Sequence, residues 1–273
     1  MILGAALIQA SAALVTKVFN VMGPSGTSAW RFLFGALILL AATRPKIRSL
    51  TKSQWLAILA LGASVAFMNQ CFYQSIARIP LGTAVAIEYL GPFMVSALGK
   101  RSWKHFGFVV LAALGVLAIA HPTGGANLTG VLFAAGSGLG WAAYVFAAHH
   151  VGGQATGFSG LALSMSVGAV LTLPMSMGSL AIGIAHPSVL VRLVIVAFMS
   201  IVLGFSCEMQ ALRRLKPSTA GVLFALDPAM AFVIGFAILS QRISGVDFIG
   251  MVCVVAAGIG VTLDATNQAA QER

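Results

Sequence analysis

Two acidic residues inside apolar stretches are the first candidates for chemistry in this sequence. Glu88 lies in PLGTAVAIEYLGP and Asp227 in KPSTAGVLFALDP, and each is followed within a few residues by a proline, Pro92 or Pro228. A charged side chain at the centre of a bilayer costs about 2.5–3.5 kcal/mol on insertion scales, so its presence favours a substrate-binding or ion-coupling role. The structural alternative is a kinked helix whose acid pairs with a basic residue.

The prolines account for the position of the acids. Proline has no N–H, so Pro92 leaves the carbonyl of Glu88 without its helical partner, and Pro228 does the same to Phe224. A free carbonyl inside a bilayer must face protein or a water-filled cavity. The acid and the proline therefore need the same polar environment, in which a substrate ammonium group could bind a carboxylate and a free carbonyl together.

Other polar and aromatic residues within the apolar segments are further candidates for this cavity. Lys17 and Arg31 could bind a substrate carboxylate, pair with Glu88 or extend to the outer membrane interface. Glu208 lies about one turn from the end of its segment, where extension to the interface is also easy. The remaining candidates, which could line the cavity or serve helix packing, are Tyr89, Asn69, Trp141 and Tyr144, the last two on one helix face.

The sequence offers no motif for a metal, a cofactor or catalysis. Cys71, Cys207 and Cys253 lie within apolar segments without CxxC spacing, and the five histidines form no HxxxH pair. There is no Walker motif and no paired Ser/His/Asp set. We therefore expect no metal, no disulfide, no cofactor, no direct use of ATP and no enzymatic activity.

The composition indicates an all-α membrane protein embedded in the lipid bilayer. Of the 273 residues, 59% are hydrophobic and 8% charged, whereas soluble domains carry about 25% charged residues. The apolar stretches are continuous rather than alternating, which excludes an outer-membrane barrel. Ten such segments are predicted to span the membrane, at 1–20, 27–42, 54–76, 81–99, 105–121, 128–148, 157–177, 189–212, 218–239 and 246–263.

The basic residues predict the orientation. The net charge of +10 comes from short clusters between apolar segments, so positive-inside topology explains it and nucleic-acid binding is excluded. One set of connections is poor in basic residues, with Arg78, Arg192 and Arg242. The opposite set is predicted to be cytoplasmic, with both termini on that side, and holds Arg44, Lys46, Arg48, Lys52, Lys100, Arg101, Lys104, Arg213, Arg214 and Lys216.

The two halves of the chain resemble each other. Residues 71–92 align without a gap on 207–228, so that a Cys, a Gln, an Arg, a Thr and a Pro coincide. Each half would hold five helices, and an odd number places the second half upside down in the membrane. We therefore predict two inverted five-helix repeats, at 1–122 and 123–263, followed by a mobile polar cytoplasmic tail at 264–273.

Three stretches resemble a known family. PLGTAVAIEYLGP, CEMQALRRLKPSTAGVLFALDPAMAFVIGF and TKVFNVMGPSGTSAWRFLFGALIL are similar to the EamA-type permeases of the drug/metabolite transporter superfamily, in particular the threonine/homoserine exporter subgroup. The resemblance implies a bacterial inner-membrane exporter of small metabolites such as amino acids, driven by an ion gradient and present as a monomer or homodimer.

The resemblance is incomplete at two positions. Ser240-Gln241 stands where related permeases commonly have Gly-Glu, and Asp227-Pro228 where they commonly have Glu-Pro. The second change keeps the charge, and the first falls at a helix end, where a structural role is expected. The alternatives that remain open are a broad permease for drugs, sugars or nucleotide-sugars on the same fold and a membrane receptor that transports nothing.

Overall fold

The computed structural model describes residues 1–47, 50–99, 103–119, 127–151, 157–215 and 217–271. Apart from short turns and connections, these residues are helical. They form fourteen α-helices and a π-helix: α1 (Ile2–Thr16), α2 (Phe19–Thr43), α3 (Lys52–Ile76), α4 (Leu81–Glu88), α5 (Leu90–Gly99), α6 (Trp103–Ile119), α7 (Leu128–Val151), α8 (Gly157–Met177), α9 (Leu180–Ala185), α10 (Pro187–Ala197), the π-helix Phe198–Gly204, α11 (Phe205–Arg214), α12 (Pro217–Phe224), α13 (Asp227–Leu239) and α14 (Gly245–Gln271).

The helices have the length and surface of a multi-pass membrane protein. Seven helical segments of 20 to 25 residues are apolar enough to cross a bilayer, and α1 and part of α6 are shorter apolar helices. An exposed apolar surface of this extent suits lipid rather than water. It includes the side chains of Leu114, Leu117, Leu132, Leu139, Val233 and Phe236.

Two predicted spans are broken helices, as the prolines require. The segment 81–99 divides into α4 and α5, and the segment 218–239 divides into α12 and α13. The helix α4 ends at Glu88 and α12 at Phe224, the two residues whose carbonyls the prolines leave free. An offset of 136 residues, the offset of the sequence alignment, places Leu81–Glu88 on Pro217–Phe224 and Pro92 on Pro228.

Several other boundaries differ from the prediction. The helix α2 begins at Phe19 rather than at residue 27, with a kink at Gly23, whose φ of 68° only glycine adopts at little cost. Helix α14 continues to Gln271, so the segment predicted as a mobile tail is helical there. That segment contains alanine and glutamine, which favour helix, and no proline or glycine to end it.

Some of the predicted features lie outside the described residues. The boundary between the proposed repeats falls within 120–126, and the basic residues Arg48, Lys100, Arg101 and Lys216 are likewise not described.

Glycines allow α7 to pack closely on two sides. Gly136 and Gly140 face α3, where Cys71 and Met68 are the nearest residues. Gly138 faces the break between α4 and α5: a Cβ built there would lie 2.9 Å from the Glu88 carbonyl oxygen. Close helix contact through glycines therefore brings α7 against the broken helix that carries Glu88.

Ser240-Gln241, which stands where related permeases commonly have Gly-Glu, lies at the end of α13 and has a structural role. Ser240 follows α13 with a left-handed backbone, φ 54°, which is the conformation that glycine adopts most readily. The Leu81 N–H donates to Gln241 Oε1 at 3.1 Å, so this side chain satisfies a free N–H at the start of α4. Gly130, at the start of α7, packs against Ile79. The starts of α4 and α7 and the end of α13 thus lie at one end of the bundle.

Candidate substrate and coupling site

The two predicted acids lie close together, joined through one tyrosine. Glu88 ends α4 and Asp227 begins α13, and they are 7% and 8% exposed. Tyr89 follows Glu88 directly, and its hydroxyl oxygen lies 2.7 Å from Asp227 Oδ2. These three residues, Glu88, Tyr89 and Asp227, are called the acid cluster. They come from both broken helices.

The carboxylate of Glu88 has a hydroxyl partner on α7. The Ser137 hydroxyl is fully buried and lies within hydrogen-bond distance of Glu88 Oε1. The same hydroxyl lies 2.9 Å from the carbonyl oxygen of Met68 on α3. The close packing of α7 on both neighbours places Ser137 between an acid and a carbonyl.

The carbonyl that Pro228 frees also has a partner. The Tyr89 hydroxyl lies 2.5 Å from the Phe224 carbonyl oxygen, in addition to its contact with Asp227. The prediction that this carbonyl faces protein or a polar cavity is therefore confirmed: it faces the tyrosine of the other broken helix.

The two acids share one arrangement, a hydroxyl placed between a carboxyl oxygen and a backbone carbonyl. A hydroxyl has one proton to donate, and a carbonyl oxygen accepts only. An ionised carboxylate and the carbonyl thus compete for that proton. A protonated carboxyl donates to the hydroxyl oxygen, and the hydroxyl then donates to the carbonyl. The hydrogen bonding of Ser137 and Tyr89 is complete only when each acid carries a proton.

Aromatic side chains form one wall of the acid cluster. Trp141 of α7 packs edge-on against Tyr89, with 4.7 Å between ring centroids and an interplanar angle of 85°. Phe93 also packs against Tyr89, with 5.9 Å between ring centroids. Of the two aromatics predicted on this helix face, Trp141 therefore contacts the cluster directly, whereas Tyr144 packs against a separate apolar cluster that includes Phe32.

Glu208 lies near the acid cluster rather than at a free helix end. It is in the first turn of α11 and partly buried, with its Cγ against Gly4 of α1. Its charge is within electrostatic range of Asp227. Lys17 does not join these residues, since it is exposed at the end of α1.

Arg31 is buried in a second polar cluster, separate from Glu88. It is 5% exposed, donates from Nη1 to Ser200 Oγ at 3.2 Å, and donates from Nη2 to Asn69 Oδ1. Its guanidinium carbon lies 5.0 Å from the ring centroid of Tyr73. Arg31 therefore neither pairs with Glu88 nor extends to the membrane interface in this structure. The reason is that its face of α2 packs against α3 and the π-helix.

Sequence reasoning missed Ser137, Ser200 and Tyr73. Ser137 lies between two glycines in an apolar helix, a pattern that indicates close helix packing and could have identified it. Ser200 lies in the π-helix, which has no sequence signal but is a type of helix often found at functional sites. Among the described residues, no group of three histidine, cysteine or acidic side chains is arranged to hold a metal ion.

Comparison with known proteins places the chain in a family. The sequence profile of the EamA-like transporter family matches residues 1–120 and 128–263, most of the chain. The chain belongs to the EamA-like transporter family. It is thus a multi-pass membrane transporter for a small-molecule substrate.

This EamA-like transporter is similar to curated relatives over nearly its whole length. It is 35% identical over 263 residues to the threonine/homoserine exporter RhtA of Escherichia coli (strain K12) and 34% identical over 259 residues to that of Salmonella typhimurium (strain SL1344), and each alignment covers 94% of this chain and 88% of the relative. A crystal structure matches with a TM-score of 0.65 at 18% identity, covering 97% of this chain and 96% of the other. The last comparison supports the fold alone.

Replacing either kink proline by alanine is expected to leave the EamA-like transporter folded but to slow transport. Pro228→Ala restores an N–H that competes with Tyr89 for the Phe224 carbonyl. Since such a hydrogen bond contributes about 0.5–1.5 kcal/mol, we expect up to about tenfold slower flux. Pro92→Ala would supply the missing helical partner of the Glu88 carbonyl and should straighten the break between α4 and α5. Flux in proteoliposomes at equal protein density measures the effect.

The control for this prediction is Pro174→Ala, a proline on the exposed side of α8. Its flux should stay near that of the parent protein. Full activity of both kink variants would show that the breaks in α4–α5 and α12–α13 are incidental to transport.

Proposed function

We propose that this transporter exports small amino acids of the threonine and homoserine type across a bacterial inner membrane, driven by the proton gradient. The relatives named above support the substrate class. The acid cluster supports the coupling, since two buried acids stand at the breaks of two helices and each shares a hydroxyl with a backbone carbonyl.

The proposed architecture is ten membrane-spanning helices in two inverted repeats, 1–122 and 123–263, with both termini in the cytoplasm. The equal bounds of α4 and α12 under the 136-residue offset support the repeat. The end of the bundle shared by the starts of α4 and α7 and the end of α13 carries few basic residues, which supports its assignment to the periplasm. The cycle would be alternating access, one repeat moving against the other.

The acid cluster is the proposed proton site because its hydrogen bonds depend on protonation. With Asp227 protonated, Tyr89 is free to donate to Phe224; with Asp227 ionised, the carboxylate competes for the same proton. The contact between α4 and α12–α13 thus changes with each proton bound or released. Ser137 links Glu88 to α3 in the same manner.

A cationic substrate group would be attracted to the same acids. Asp227 is within electrostatic range of both Glu88 and Glu208, so a substrate ammonium group would compensate the repulsion between Asp227 and these two acids. Proton and ammonium group would then compete for one cluster, which is how an exchanging carrier couples two cations.

A broad-specificity permease is the second candidate, favoured by the aromatic wall of Tyr89, Phe93 and Trp141. Aromatic faces bind flat or apolar substrates without strict selectivity. Such a protein would transport planar drugs as well as amino acids.

Purified protein in proteoliposomes tests the proposal. We expect labelled threonine and homoserine to move when a pH gradient is imposed, to stop when a protonophore is added and to be unaffected by a sodium gradient alone. Unlabelled small amino acids should compete, whereas planar drugs should not. Transport of planar drugs together with amino acids would establish the second candidate, and absence of any substrate-dependent flux would leave only the receptor alternative.

A further inference from the structure

The guanidinium of Arg31 is a buried positive charge without a described counter-ion. Its hydrogen-bond partners are the neutral side chains of Ser200 and Asn69, and the rings of Tyr73 and Phe32 lie 5.0 and 5.7 Å from it. Among the residues that the structure describes, no carboxylate forms an ion pair with it. Neutral partners orient a guanidinium but do not cancel its charge, and buried charges in proteins are normally paired.

The hydrogen bonding of this cluster is also incomplete. Arg31 Nε has no partner, and neither has the hydroxyl of Tyr73 or that of Ser28, although all three atoms are buried. Ser28 lies three residues before Arg31 in α2 and therefore on the same side of the helix. Unpaired donors around a buried charge are unfavourable for stability alone, so a purely structural arginine does not explain the arrangement.

The chemistry of these groups fits a carboxylate. A guanidinium presents a planar fork of N–H groups that matches the two oxygens of a carboxylate, and two hydroxyls nearby supply further donors. We propose that Arg31 binds the carboxylate of the transported substrate. This proposal rests on the proposed function, and it assigns the anionic end of an amino acid to a site distinct from the acid cluster.

The two sites meet on α3. Ser137, which contacts Glu88, lies against the carbonyl of Met68, and Asn69, the next residue, binds Arg31. A carboxylate that displaces Asn69 from Arg31 would therefore disturb α3 next to Met68, whose carbonyl shares the Ser137 hydroxyl with Glu88. Arg31 is closed off from solvent in the described conformation, so the carboxylate would enter in another conformation of the cycle.

The first arm of the test uses the unmodified protein and ligands that differ only in one group. Equilibrium binding is measured with threonine, with threoninol, which has an alcohol in place of the carboxylate, and with 3-hydroxybutyrate, which lacks the ammonium group. Because hydrogen bonds to charged groups are the strong ones, we expect threonine to bind about 10- to 100-fold more tightly than threoninol. Equal binding of the two would overturn the proposal whether or not any variant folds.

The second arm uses variants. Arg31→Gln should abolish the preference for threonine over threoninol, and Arg31→Lys, which keeps the charge but not the fork, should reduce it. Arg192→Gln, at an exposed arginine of α10, should leave the preference unchanged. A preference that survives Arg31→Gln in folded protein would overturn the proposal.

The outcomes separate this inference from the proposed function. If threonine is transported but the preference for the carboxylate is independent of Arg31, the exporter proposal stands and the anion site falls. If threonine does not bind but 3-hydroxybutyrate binds in an Arg31-dependent manner, the anion site stands and the amino-acid proposal falls. If neither ligand with a carboxylate binds, the anion site is overturned.

Discussion

Glu88→Gln is expected to reduce transport to the level of liposomes without protein while leaving the protein folded. Glutamine has nearly the same volume and keeps an oxygen that accepts from Ser137, so the packing against α7 is retained. What is lost is the charge and the ability to bind and release a proton. Flux and thermal unfolding should be measured on the same preparation.

Two further variants make this result specific. Glu88→Asp should keep part of the activity, since the charge stays but moves by about one methylene. Asp247→Asn, at an acid that caps the start of α14 outside the cluster, should keep transport. Normal flux in Glu88→Gln would end the functional interpretation, and an equal loss of flux and thermal stability would favour a structural one.

The second large effect concerns Gly91. A Cβ built on Gly91 would lie 1.9 Å from the carbonyl oxygen of Gly138, far closer than any real contact. The Cβ position is fixed by the α5 backbone and the oxygen belongs to the α7 backbone, so no side-chain rotation can relieve the overlap. Gly91→Ala should therefore force α5 and α7 apart and destabilise the protein by about 1–3 kcal/mol or more. The midpoint of thermal unfolding in detergent measures the change.

Gly107→Ala provides the matched control within α6. A Cβ at Gly107 meets nothing within 4 Å, so this change should leave the unfolding midpoint unchanged or raise it slightly, because alanine favours helix. Equal stability of the two alanine variants would show that the contact between α5 and α7 is looser than described.

Local chemistry made the helix breaks predictable, because a proline removes the partner of one identified carbonyl. Pro92 and Pro228 thereby identified the carbonyls of Glu88 and Phe224 from the sequence, and these are the residues at which α4 and α12 end. The apolar segments likewise predicted the helices to within a few residues, except at the start of α2, which includes the kink at Gly23, and at the end of α14, which continues to Gln271.

Partners distant in sequence could not be predicted in this way. Ser137 is 49 residues from Glu88, and Ser200 is 169 residues from Arg31. Which hydroxyl meets which charge depends on how the helices pack, and a single sequence holds no record of that packing. The pairing of Tyr89 with Phe224 was half predictable: the prolines identified the acceptor but not the donor.

The 136-residue offset gives α4 and α12 the same bounds, but the acidic residues of the two halves do not fall at equivalent positions. Glu88 corresponds to Phe224, and Asp227 corresponds to Gly91, whose lack of a side chain the contact with Gly138 requires. If the halves exchange conformations during transport as proposed, two identical halves would make the inward-open and outward-open states equal in energy and related by a two-fold rotation about an axis in the membrane plane. Acids at non-equivalent positions remove that degeneracy. The empty carrier would therefore prefer either the inward-open or the outward-open state. The sequence difference between the halves would determine which of the two states is more populated.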